Sequence, residues 1–242
     1  MKISRYIWLV WGVFLFMFEV SIATPIYLLL ILIFGKRIRF SLLGVNYRVI
    51  APSLLWLCGV RTKVHGLTPA MGEGANVYIS NHNSLLDVLV NAKVNPQPAF
   101  FLAKKSLVKF PIFGLMVKAL GILVDRKDEA SRKKSYEYMK QTLLEGHSLF
   151  IYPEGTRNRT SEPMKDFYDG AFRSAIEAQV PIVSQTLVGV KDIYNPDKKF
   201  ELRMGTIQVY FDGPFETKGL SLQDLPALKE KIYKTMEKHL IA

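Results

Sequence analysis

Asn81-His82-Asn83-Ser84-Leu85-Leu86-Asp87 puts an imidazole and a carboxylate five positions apart, directly after the apolar run Val77-Tyr78-Ile79. A histidine that acts as a base needs such a partner. A carboxylate that accepts the Nδ1 proton fixes the tautomer, frees Nε2 to take a proton from an attacking hydroxyl, and stabilises the imidazolium that forms. Five residues of ideal helix rotate by about 500°, so the two side chains would diverge inside one regular helix. They can meet if His82 stands on a loop and Asp87 lies in the first helical turn. Ser84-Leu85-Leu86-Asp87 has the form of a capping box, with Ser84 as N-cap, which would start a helix there. In isolation, the same residues would serve as a polar loop and a helix cap.

About seventy residues further on, a second hydrophobic run, Leu149 to Tyr152, leads into Pro153-Glu154-Gly155-Thr156-Arg157. Here Gly155 permits close backbone approach, Thr156 can donate a hydrogen bond, and Arg157 offers a two-pronged fork to phosphate. Glu154 could hold that arginine or bind an acceptor hydroxyl. Standing alone, the segment would read as a turn with a surface ion pair. Between the two stretches, Lys104 to Gly114 mixes cations with apolar residues, and Gly121-Ile122-Leu123-Val124-Asp125-Arg126 ends a strand pattern on an acid and an arginine. Either is an exposed basic edge or a source of further cations for a phosphate dianion.

These stretches must be positioned by a framework, and the chain alternates short apolar runs with helical patterns as an α/β domain does. The expected strands are 60–64, 77–80, 100–103, 122–125, 149–152, 182–190 and 207–211. Most are nearly continuous apolar runs, which suits strands covered on both faces. Helices are expected over 132–145, stopped by Gly146, over 164–178 with a break at Gly170, and near the end. There Asp224 is a plausible N-cap, Pro226 falls in the first turn, and Leu228, Ile232, Met236 and Leu240 recur every four residues.

The 242 residues accommodate one sizeable domain and a short appendage. From Ile7 to Phe34 the chain is almost purely apolar, interrupted by Glu19 and Pro25, and exceeds the roughly 20 residues a spanning helix needs. It is also longer than the apolar region of a signal peptide, so it is expected to be retained. Basic residues flank it on both sides: Lys2 and Arg5 before it, Lys36-Arg37-Ile38-Arg39 after. The expected arrangement is a hairpin bent near Pro25 or an interfacial anchor, followed by an interfacial helix between Leu42 and Val60 that Asn46 and Arg48 interrupt. A single span is the alternative. Net charge is +11 and the pI is near 9.6. Beside an apolar anchor, that charge points to an anionic bilayer surface. No zinc-type Cys/His spacing and no dense Lys/Arg block speaks for nucleic acid. Cys58 is the only cysteine, so neither an internal disulfide nor a cysteine-rich metal site is available, and no metal is expected.

Five stretches in this order resemble the glycerolphosphate acyltransferase family, and most closely its bacterial 1-acyl-glycerol-3-phosphate acyltransferases. They are Asn81-His82-x4-Asp87, Lys104-x2-Leu107-x3-Pro111-x2-Gly114, Gly121-x3-Asp125-Arg126, Pro153-Glu154-Gly155-Thr156-Arg157 and Val180-Pro181-Ile182-Val183. The resemblance runs from about Val60 to Phe215. It implies that His82 is the catalytic base with Asp87 as its partner. It also implies that Glu154, Gly155, Thr156 and Arg157, helped by Lys104 and Arg126, hold the glycerol phosphate. The implied reaction is transfer of an acyl group from a thioester of coenzyme A or acyl carrier protein to the sn-2 hydroxyl of lysophosphatidic acid. The thioester is a co-substrate; no cofactor is expected. The expected fold is a single α/β domain over residues 60–242, with a mostly buried mixed sheet flanked by helices. A helical membrane-anchoring segment over residues 1–59 precedes it. The implied place is the inner, cytoplasmic membrane, with the catalytic domain facing the cytosol, in phospholipid biosynthesis. Two departures stand out: Ser184 where the family usually has a proline, and Tyr168-Asp169 where it often has lysines.

Three other readings compete. A serine hydrolase would use Gly146-His147-Ser148, but that segment lacks the last glycine of a nucleophile elbow and precedes a strand instead of following one. Acylation of another lyso-lipid, such as lyso-ornithine lipid or a lysophospholipid, draws on the Tyr168-Asp169 departure. A basic membrane-peripheral lipid-binding protein explains the charge and the first 60 residues, but not His82, Asp87 and Arg157 together.

Overall fold

The computed structural model describes residues 2–125, 127–195 and 201–241. Seven strands form one sheet: β1 (Val60–His65), β2 (Val77–Ser80), β3 (Ala99–Lys104), β4 (Ile122–Val124), β5 (Ser148–Ile151), β6 (Ile182–Val188) and β7 (Gly205–Phe215). Their order across the sheet is β1-β7-β6-β2-β5-β3-β4. Every pairing is parallel except β6 with β7, so the sheet is mixed. All seven expected strands are present, with ends shifted by a few residues. The central strands β2 and β5 are buried at every position, the pattern of a strand covered on both faces. The edge strand β1 buries only Val60 and exposes Arg61, Lys63 and Val64.

Side chains alternate across each strand, so the two faces carry different residues into two helical layers. On one face Val77, Ile79, Leu149, Ile151 and Ile182 pack with α6 (Glu129–Leu144), α7 (Gly170–Ala178) and α9 (Leu225–Ile241). On the other, Tyr78, Phe150, Val183, Leu187 and Val209 pack with α3 (Ala51–Leu57), α4 (Leu86–Val94) and α8 (Val190–Ile193). A further helix, α5 (Phe113–Leu120), sits between β3 and β4. Asp128 caps α6 by accepting from Ala130 N–H at 3.0 Å, so this helix begins before residue 132. Residues 164–169 are not helical; α7 starts at Gly170 itself. At the end, Ser221 and Asp224 form a capping box on a short 3-10 turn that runs into α9, so Ser221 holds the cap position and Asp224 its reciprocal acid.

The N-terminal segment is a helical hairpin, but it does not bend at Pro25. Helix α1 runs unbroken from Lys2 to Phe34 through that proline. The reversal comes at Gly35, whose φ of +72° is accessible to glycine without strain. The returning arm is α2 (Arg39–Val45), a π-helical turn at Asn46–Ile50, and α3. It comes back to the start of α1, where Trp8 and Trp11 donate their indole N–H groups to the carbonyls of Cys58 (2.9 Å) and Leu57 (3.3 Å). Both arms, Arg5–Phe34 and Lys36–Leu57, are long and apolar enough to cross a membrane. Much of α1 is bare: Val10, Phe14, Leu29, Leu32 and Phe34 are all more than half exposed.

Candidate active site

His82, Lys104 and the loop beginning at Pro153 all lie at the carboxyl ends of β2, β3 and β5, which are neighbours running in the same direction. Parallel strands deliver their following loops to one edge of the sheet, where α/β proteins build their sites. The sheet topology therefore converts three stretches spread over 75 residues into one locality.

The dyad is formed. His82 Nδ1 lies 3.0 Å from Asp87 Oδ2, with Asp87 fully buried and the His82 side chain 16% exposed. The same oxygen accepts the backbone N–H groups of Asn83 (2.5 Å) and Ser84 (2.7 Å). Three donors on one carboxylate oxygen fold the loop back over the start of α4, which keeps His82 outside the helix. The expected capping box is half present: Asp87 accepts from Ser84 N–H, but Ser84 Oγ accepts from Leu86 N–H at 2.9 Å and the helix begins at Leu86. Among the described residues His82 Nε2 has no hydrogen-bond partner, so the ring nitrogen needed to take a proton is the unengaged one.

Glu154 does something its sequence context did not suggest. It is buried, and its two oxygens accept the backbone N–H groups of His82 (2.7 Å) and Lys165 (2.9 Å). It does not pair with Arg157 among the described residues. Asn158 N–H closes the contact by donating to the His82 carbonyl at 2.6 Å. Both main-chain groups of His82 are thus held by the loop that carries Arg157, so the histidine and the arginine stand on adjoining backbone. Burial pushes the Glu154 carboxyl above its ordinary 4.5, against the lowering effect of the two N–H donors.

The rest of the loop combines a tight turn with cations. Gly155 has φ +73°, which admits the tight turn between Tyr152 and Arg157. Arg157 is half-buried and has no hydrogen bond or ion pair among the described residues. Thr156 is exposed, and its hydroxyl accepts from Lys165 Nζ at 2.7 Å. Lys104 is exposed at the end of β3. Arg126 lies outside the described residues.

Three residues were missed by sequence reasoning. Tyr152 stacks on the His82 ring at a centroid distance of 4.1 Å and 19°, and Asn91 donates to its hydroxyl at 3.0 Å. Desolvation under the surrounding side chains pushes that phenol well above its usual range, so it stays neutral. Its position directly before Pro153-Glu154-Gly155 was the available signal. Lys165 adds a cation beside Thr156, three to four residues from where lysines were sought. Asn81 joins β2 to β6 through a pair of bonds with Leu187, donating to its carbonyl (3.0 Å) and accepting its N–H (2.8 Å). The Asp169 carboxylate is engaged by Lys229 at 2.5 Å on α9, so the departure at Tyr168-Asp169 does not leave a bare negative charge at the site.

An acyltransferase family profile matches residues 61–188, just over half of the chain. Mouse 1-acyl-sn-glycerol-3-phosphate acyltransferase alpha is 33% identical over 203 residues, covering 83% of this chain and 68% of that protein. The human beta form is 32% identical over 186 residues, covering 76% and 66%. The crystal structure of the 1-acyl-sn-glycerophosphate (LPA) acyltransferase from Thermotoga maritima superposes with a TM-score of 0.80 at 18% identity, over 100% of this chain and 98% of that one. At that identity the superposition speaks for the fold.

Proposed function

Because the chain belongs to the acyltransferase family, we propose that it acylates the sn-2 hydroxyl of lysophosphatidic acid from a coenzyme A or carrier-protein thioester, yielding phosphatidic acid. The observation that carries this reading is the joining of His82 to the arginine loop through Glu154 Oε1 and Asn158 N–H. A base and a phosphate grip tied by two backbone bonds can hold a hydroxyl and its neighbouring phosphate at a constant spacing, the condition under which proximity lowers a barrier.

In this mechanism His82 Nε2 takes the proton of the sn-2 hydroxyl as its oxygen attacks the thioester carbonyl. Asp87 stabilises the imidazolium. The tetrahedral intermediate collapses with cleavage of the C–S bond, and the imidazolium returns its proton to the departing thiolate. Alcohol and thioester become ester and thiol, with no covalent acyl-enzyme. Arg157, Thr156 and the Gly155 backbone hold the phosphate, with Lys104 and Lys165 adding positive field. Glu154 acts as a positioning residue, and Tyr152 fixes the plane of the ring. The pairing of Asp169 with Lys229 and the position of Lys165 favour a phosphate monoester over a headgroup-bearing lyso-lipid. We read the hairpin α1–α3 as the anchor that brings this edge to the bilayer, at the cytoplasmic membrane with the domain on the cytosolic side.

The test is mass spectrometry of lipid products after incubation with lysophosphatidic acid, lyso-ornithine lipid and lysophosphatidylcholine, each with a mixed acyl-thioester pool. Phosphatidic acid should dominate, and His82→Ala should remove it. Preferential acylation of a headgroup-bearing acceptor would sink the acceptor assignment, and turnover by His82→Ala would sink the mechanism.

A further inference from the structure

Two adjoining clefts lie at the opposite edge of the sheet from His82, where the chain enters β3. The first, about 340 Å³, is walled by Tyr47, Arg48, Lys93 and the Pro96–Pro98 turn. The second, about 410 Å³, shares Arg48 and Pro98 with it and runs along Phe40, Val45 and Val49. Both fall in the size range of small-ligand sites. The six residues of β3 separate this edge from Lys104, about 20 Å away. The clefts are therefore distinct from the acyl-transfer cleft.

Their chemistry divides cleanly. Arg48 is exposed and Lys93 half-buried, and among the described residues neither has a hydrogen-bond or ion-pair partner. No carboxylate lines either cleft. The neighbouring amides are already engaged: Asn95 donates to Gln97 O at 2.7 Å, and Gln97 donates to Gly74 O (2.7 Å) and Tyr78 Oη (3.0 Å). The two cations are left as the groups able to bind a ligand. Burial lowers the Lys93 ammonium from its ordinary value, a penalty that a seated anion would offset. Arg48 sits inside the π-helical turn Asn46–Ile50, a distortion found often at functional positions in helices. The second cleft is mostly apolar and is walled by Val45 and Val49, exposed by 40% and 58%. An apolar trough ending at two unpaired cations complements an amphiphile with an anionic head.

We propose that Arg48 and Lys93 form a headgroup site for an anionic phospholipid whose acyl chain lies along Phe40, Val45 and Val49. The site presumes that the helical hairpin meets a bilayer, but no particular acyl acceptor or donor, so it stands or falls apart from the reaction. Native mass spectrometry of the full chain in detergent, titrated with phosphatidylglycerol or phosphatidylcholine, tests it. Phosphatidylglycerol should be retained and phosphatidylcholine lost. Arg48→Ala and Lys93→Ala should each weaken retention about fivefold, and the double variant roughly 25-fold, as expected for removing cations from a headgroup. Arg48→Lys should keep it, and Val49→Ser should weaken it without touching charge. Circular dichroism separates these losses from misfolding, since Arg48 and Val49 are surface positions. Equal retention by the double variant and the parent would overturn the proposal. So would complete displacement of phosphatidylglycerol by inorganic phosphate, which would make this a site for free anions.

Discussion

Two histidine–aspartate pairs stand on this sheet, His82–Asp87 and His239–Asp212. Ile79 of β2 is in register with Ser184 of β6, and Ser184 with Asp212 of β7, so Asp212 lies two strands along from the end of β2. In the second pair Nε2 is shared between both carboxylate oxygens at 3.1 Å, and the side chains are 27% and 22% exposed. The ring stacks on Tyr210, itself stacked on His65. In the first pair Nδ1 is engaged, the carboxylate is fully buried, and one oxygen takes three donors. The ion-pair types match; the difference lies in which nitrogen remains to do work and what surrounds it. His239 spends Nε2 on its aspartate and fastens α9 to β7. His82 leaves Nε2 unengaged among the described residues and has the Arg157 loop bonded to its backbone.

That contrast can be broken most directly at the two histidines. His82→Ala should lower kcat by about 10⁴-fold, the upper end of the usual worth of a general base, with little change in thermal unfolding. Asp87→Asn comes next, with an activity loss of about 10²- to 10⁴-fold because the amide no longer enforces the tautomer. Unlike the first variant it should also unfold earlier, by about 2 kcal/mol, since three donors lose a charged acceptor. Denaturant titration of both variants checks this, and an unfolding midpoint for Asp87→Asn equal to the parent would argue against the buried hub.

Arg157→Ala should raise the acceptor KM and lower kcat/KM about 100-fold, the scale of a lost charge-assisted fork, while leaving the donor KM nearly constant. Glu154→Gln sharpens the contrast through pH. Burial holds the Glu154 carboxyl above its ordinary 4.5. The folded chain therefore keeps that proton to a higher pH than the unfolded chain. Its contribution to stability is complete below pH 4.5, is lost as pH rises through the folded value, and is flat beyond. Stability measured from pH 4 to 7 should show that slope in the parent and lack it in the glutamine variant. The smallest effect belongs to the counterpart pair: His239→Ala should change activity less than twofold and stability by about 1 kcal/mol, the net value of one hydrogen bond. A large activity loss there would erase the distinction between the two pairs.

Much of this was legible in advance. The continuous apolar runs at 77–80 and 149–152 became the two central strands because burial on both faces demands that composition. The hydrophobic period of the last helix survived, with Leu228, Ile232 and Met236 all buried. Local signals failed in two places. Pro25 looked like the bend, but one lost hydrogen bond inside a long apolar helix was outweighed by the positive φ that Gly35 alone of the two can adopt. Gly170 looked like a break and proved to be a start.

His82 and Asp87 are close in the chain, so their pairing is decided by residue types and one turn, and the sequence contains all of it. The partners of Glu154 are 72 residues back and 11 residues on, and neither contact has a trace in local composition. Only the alignment of β2 beside β5 brings those backbone groups to its oxygens. The same holds for Tyr152 on His82 and for Lys229 on Asp169. Short-range geometry is a property of the peptide; a carboxylate's choice between a substrate and a neighbouring loop is made by burial, and burial exists only once the sheet has formed.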